Sequence, residues 1–94
     1  MYALALVRYR VPLEGILPIL DAHRAYLRDL KARGWLLASG PLDPRHGGAL
    51  LLRVPDRDVL DRIRDEDPFV QAKVAQYELL PWQPNIGVED LDRL

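Results

Sequence analysis

The chain has no cysteine, a single methionine and no apolar run approaching the roughly 20 residues that cross a bilayer. The first absence excludes disulfides, thiolate nucleophiles and cysteine-ligated zinc. The last excludes a helical membrane span. Nor does one sign of charge dominate: thirteen basic residues face fourteen acidic ones, for a net charge of −1. Such a balance gives no global attraction to a phosphate backbone or an anionic bilayer, so neither nucleic acid nor membrane is expected as a partner. The opening MYALALVRYR has no basic leader region, and Arg8 breaks its apolar stretch. No secretory leader is read there, and a cytoplasmic location is expected. Six glycines, eight prolines and no low-complexity run exclude a fibrous or disordered class.

What is present is a 94-residue chain that is 49% hydrophobic and 29% charged, enough for one core and too little for two. Tyr2 to Arg10 reads as a strand, because Tyr2, Val7 and Tyr9 favour extended backbone and Pro12 cannot continue a ladder. Its alternation puts Leu4 and Leu6 on one face and Ala3, Ala5 and Val7 on the other. Both faces are apolar, so the strand belongs in the middle of its sheet.

From Leu13 to Arg33 the positions Ile16, Leu20, Leu27 and Leu30 form one helical stripe, with Gly34 placed as the terminating glycine. Pro18 is tolerated in a first turn, which puts the helix start near Gly15 to Leu17. Trp35 to Gly40 reads as a second strand and Pro41 to Gly48 as an exposed connection. Ala49 to Val54 is a third strand. A second helix follows from Asp56 and stops before Pro68. Phe69 to Lys73 reads as a turn and Val74 to Trp82 as a fourth strand. The pattern ends there, giving a domain over residues 1–83 and a tail over 84–94 that is mobile or packed on a partner.

The order βαββαβ implies a ferredoxin-like α+β fold: a four-stranded antiparallel sheet with two helices on one face. The other face stays open and apolar. Packing two copies sheet to sheet covers it, so a homodimer is expected, with higher assembly left open.

His23 falls three residues after Leu20 and four before Leu27, inside the apolar stripe. Two readings stay open for it: a core histidine with one hydrogen bond, or an imidazole placed for proton transfer. Arg24 and Arg28 lie off the stripe, as solvated residues do. Asp67 precedes Pro68 and Phe69 in an acidic helix end that the helix dipole disfavours. It is either a turn former or a carboxylate kept there for another reason. Asp65 and Glu66 read as surface charge, and His46 as a loop residue. No spacing of His and carboxylates makes a metal site, and no phosphate-binding glycine motif occurs. Ser39, in Ala-Ser-Gly-Pro, reads as an inward strand residue able to bond a ligand. An RNA-binding version of this fold needs stacking aromatics that Ala49 to Val54 lacks.

Taken in order, His23-Arg-Ala-Tyr-Leu, Gly34, Ala38-Ser-Gly-Pro-Leu42, Asp67-Pro-Phe69 and Tyr77 to Trp82 resemble the YCII-related (YciI-like) proteins, over Tyr2 to about Trp82. The resemblance implies a dimeric α+β barrel and enzymes that use a His and an Asp, here His23 and Asp67. A carboxylate beside an imidazole fixes its tautomer and favours its charged form. On that basis a cofactor-free isomerase, lyase or hydrolase is expected, acting by proton transfer on a small organic acid. His23 is its acid or base, and Asp67 orients the ring. Arg8, Arg10 and Arg53 are candidate carboxylate anchors, and a surface position stays equally open for each. The rival reading is a non-catalytic small-molecule-binding or assembly module, which a sealed and packed His23 would favour.

Overall fold

A computed structural model describes residues 1–94. Its elements are β1 (Tyr2–Tyr9), α1 (Leu13–Ala32), β2 (Leu36–Pro41), β3 (Gly47–Arg53), α2 (Arg57–Glu66), α3 (Pro68–Gln71), β4 (Ala75–Trp82) and α4 (Val88–Asp92). The sheet is antiparallel with order β2-β3-β1-β4, so β1 is central, as its two apolar faces require. This is the expected ferredoxin-like α+β arrangement.

The alternation of β1 divides the molecule. Ala3, Ala5 and Val7 are buried against Leu50 and Leu52 of β3 and join Ile16 and Leu30 of α1, Leu60 and Ile63 of α2, and Phe69 of α3 in one core. Leu4 and Leu6 point the other way and stay half-buried. Partners in the register share a face, so Leu51, Leu80 and Trp82 accompany them on the open side.

α1 ends as its sequence predicts. Gly34 takes φ 82°, Trp35 N–H donates to Leu30 C=O, and Gly34 N–H donates to Lys31 C=O. These two bonds satisfy carbonyls that a helix end otherwise orphans. The start differs from expectation. The helix begins at Leu13, with Pro12 as its N-cap at φ −59° and Pro18 inside it. Pro18 forfeits one backbone bond, but Ile16 just before it is fully buried, and that packing holds the turn.

β3 also starts earlier than its composition implies, at Gly47. Gly47 and Gly48 read as loop residues, yet they are strand positions chosen for close approach. A Cβ on Gly47 would stand 2.0 Å from the Val7 carbonyl oxygen. The connection therefore shrinks to residues 42–46.

The tail holds α4, tied to its own sheet rather than left loose. Tyr2 OH donates to Asp92 Oδ1 at 2.6 Å, and the Arg53 guanidinium donates to the carbonyls of Leu91, at 3.0 Å, and Leu94. Tyr2 and Arg53 are opposite each other in the β1–β3 register, at one end of the open face.

Candidate active site

Three segments converge on one carboxylate. Asp67 closes α2 with extended backbone (φ −64°, ψ 127°) and caps α3, where Pro68 takes the first helical position that suits it. Its Oδ1 accepts from Phe69 N–H at 2.8 Å and from His23 Nδ1–H at 2.9 Å, and its Oδ2 accepts from Tyr77 OH. Asp67 is 0% exposed and no buried polar side-chain atom lacks a partner. The turn former and the carboxylate kept for another purpose are the same residue: one side chain caps α3 and binds His23.

His23 lies on α1 between Ile16 and Leu30, seven residues from each, and these three are the buried residues of the helix. Its ring stacks on Phe69, with centroids 3.9 Å apart and planes 10° from parallel, while Tyr9 meets Phe69 edge-on at 6.0 Å. A carboxylate only accepts, so Nδ1 carries the proton and Nε2 carries the lone pair. Nε2 has no protein partner and is not sealed, since His23 lines a cleft of about 270 Å³ between α1 and the sheet.

Tyr77 is the third member. It follows Ala75 by two residues on β4 and pairs with Val7 in the register, which directs it to the helix side. Burial, reinforced by the Asp67 charge and hydrogen bond, pushes its phenol well above the ordinary tyrosine value. Tyr26 on α1 is also raised, by burial and then by the charges of Glu66 and Asp67, and its hydroxyl donates to Ile63 C=O at 2.7 Å.

The other anticipated residues separate. Ser39 lines the cleft, exposed at its edge. Arg8 does not line it: strand alternation turns it to the open face, where it pairs with Glu78 at 2.9 Å. Arg10 lies exposed beyond β1 and outside the lining. Arg53 is engaged with the tail. The guanidiniums that do reach the cleft are Arg24 and Arg45. Asp65 and Glu66 are exposed and pair with Arg64 and Arg62, and His46 is an exposed loop residue. No group of three His, Asp or Glu side chains gathers as a metal site would need.

Comparison with known proteins bears on this arrangement. No curated protein sequence matches the chain. Among solved structures, a 5-chloro-2-hydroxyhydroquinone dehydrochlorinase from Burkholderia phenoliruptrix, in complex with 2,5-dihydroxybenzoquinone, superposes with a TM-score of 0.79 at 24% identity. The match covers 92% of this chain and 97% of that one, a likeness of fold. The YCII-related domain matches residues 1–83, which include β1 to β4 and every residue of the His23–Asp67–Tyr77 cluster. The chain belongs to the YCII-related domain family.

Proposed function

We propose that the protein is a cofactor-free, small-molecule enzyme in which His23 moves a proton at Nε2 while Asp67 holds the ring. One observation carries the reading. A fully buried carboxylate gathers His23, the Phe69 amide and the Tyr77 hydroxyl, and this leaves the imidazole lone pair facing a cleft. A histidine serving only the core would be sealed.

In this reading Nε2 takes a proton from a carbon acidified by a neighbouring carbonyl, and the electron pair left on carbon becomes a double bond. If the proton returns to a different carbon, the result is isomerisation. If a leaving group departs with its own bonding pair, the result is elimination. Hydrolysis would use the same nitrogen to take a proton from water. In each case the imidazolium forms 2.9 Å from Asp67, which stabilises it without taking its proton. Elimination is the reaction in the name of the dehydrochlorinase that shares the fold, which supports the class by analogy.

Proton exchange in D₂O tests the proposal. A panel of small enolisable acids and halogenated hydroquinones is followed by NMR for deuterium on carbon and for released halide. Turnover of at least one member is expected, falling about a hundredfold or more in His23→Gln. Binding across the panel without exchange or elimination would install the non-catalytic binding module in its place.

We also propose a homodimer. Leu4, Leu6 and Leu51 are only half-buried on the open face, beside Leu80 and Trp82, which are 39% and 41% exposed. A second copy packed sheet to sheet would cover them. Light scattering should give twice the chain mass at micromolar concentration; the monomer mass would end this proposal.

A further inference from the structure

The cleft is electrostatically one-sided. Its thirteen lining residues include Arg24 and Arg45 and no aspartate or glutamate, although acids outnumber bases in the chain, fourteen to thirteen. Most arginines here are already occupied: Arg8, Arg33, Arg57, Arg62, Arg64 and Arg93 each pair with a carboxylate. Arg24 and Arg45 pair with none. They also come from different segments, Arg24 from the helix turn that carries His23 and Arg45 from the connection between β2 and β3. Between them the walls are apolar, with Leu20, Leu27 and Phe69 facing Val7 and Leu50. Two unpaired guanidiniums at a small cleft with apolar walls describe a receptor for a compact anion with a carbon skeleton, and the planar guanidinium fork matches a carboxylate.

We propose that Arg24 and Arg45 bind a carboxylate of the substrate, so that the cleft selects small carboxylic acids and presents their carbon skeleton to His23. The presentation to His23 rests on the proton-transfer reading; the anion binding does not. With the acid in place, the same two charges stabilise the negative charge that develops when a proton leaves carbon. The anchoring role for which Arg8, Arg10 and Arg53 were candidates passes to these two residues. One turn along α1, Arg28 and Lys31 line an adjoining hollow with Leu36 and Leu37, which shares Leu27 and Ser39 with the cleft and supplies a control for general positive potential.

Benzoate and its neutral counterpart benzamide are the probes, titrated against ¹⁵N-labelled protein. Benzoate is expected to shift the Arg24 and Arg45 side-chain resonances with a Kd of about 1 mM, and benzamide to bind at least about tenfold more weakly. Arg24→Gln and Arg45→Gln should each weaken benzoate about tenfold and leave benzamide unchanged, Arg24→Lys and Arg45→Lys should weaken it by less, since an ammonium keeps the charge without the fork, and Arg28→Gln should hold it within about threefold. Both arginines are exposed, so an unchanged melting temperature certifies the fold of each variant. Equal affinity for the two probes, no benzoate binding at about 20 mM, or indifference to the glutamine variants would overturn the proposal. His23→Gln separates the two readings. Benzoate binding should survive it, so the anion site stands even if no turnover is found. Turnover of neutral substrates alone would overturn the selection of carboxylic acids and keep the proton transfer.

Discussion

Two carboxylates, one on each side of the sheet, meet a nitrogen partner at the same 2.9 Å. Asp67 and His23 are 0% and 11% exposed at their side chains; Glu78 and Arg8 are 48% and 46% exposed. The β4 residues involved are consecutive, Tyr77 reaching Asp67 on the inner side and Glu78 reaching Arg8 on the outer. Distance therefore does not set the worth of such a pair. In water the outer pair is screened and contributes about 0 to 1 kcal/mol. The inner carboxylate cannot fall back on solvent, so every donor around it is needed.

The largest effect should follow from emptying the inner site. Asp67→Ala removes the acceptor shared by three donors and is expected to cost about 3–5 kcal/mol in urea unfolding, as breaking a buried charged network does. The gentler Asp67→Asn keeps the shape and lowers any activity about a hundredfold or more. It also frees His23 to place its proton on Nε2, which ¹⁵N shifts of the ring would report. A protein indifferent to both changes would show the inner pair to be no stronger than the outer.

Next in size is Tyr77→Phe, which strands one lone pair of Asp67 and should cost about 1–3 kcal/mol. The same residue sets an alkaline limit. Because folding raises its pKa, the unfolded phenol loses its proton first, above its ordinary value of about 10, while the folded one keeps it. The unfolded state then holds fewer protons, so stability is intact below that pH and falls above it. Melting temperatures followed from neutral pH into that range should decline, and the decline should be shallower in Tyr77→Phe. An equal slope in the two proteins would place the loss elsewhere.

Smaller effects belong to the outer side. Deleting residues 84–94 removes the partners of Tyr2 and Arg53 and should lower the melting temperature by only a few degrees, since these bonds are half-exposed or exposed. Smallest of all, Glu78→Gln should stay within about 0.5 kcal/mol of the parent in urea unfolding.

How far the sequence alone could reach follows the same division. The α1 stripe, its Gly34 stop and the β1 alternation were legible because each repeats with the period of its element. His23 could be placed inward for that reason, and Asp67 was marked by Pro68 and Phe69. The cations of the cleft were not legible. Arg24 lies off the stripe, and the cleft opens along the stripe's edge, so a position that reads as solvated borders the site. Arg45 sits in an aperiodic connection whose direction only the fold decides. For Arg8 the alternation of β1 already favours the surface alternative, since it groups the residue with Leu4 and Leu6 on the open face. Tyr77 could have been found the same way: it alternates with Ala75 and Leu79, and a phenol turned inward needs a partner.

Gly47 bears on how such a site can diversify. Because no side chain fits between β3 and the Val7 carbonyl, the first position of β3 takes only glycine. The connection over residues 42–46 meets the sheet at its two ends, where Leu42 N–H donates to Gly47 C=O at 2.9 Å and Tyr9 N–H donates to His46 C=O at 3.1 Å. Its length and composition can change while His23, Asp67 and Tyr77, which arrive on α1, the α2–α3 junction and β4, stay where they are. On the proposed reading, His23, Asp67, Tyr77 and Arg24 all come from the regular elements or their junction, and of the residues proposed for the site only Arg45 lies on the stretch that can be rewritten.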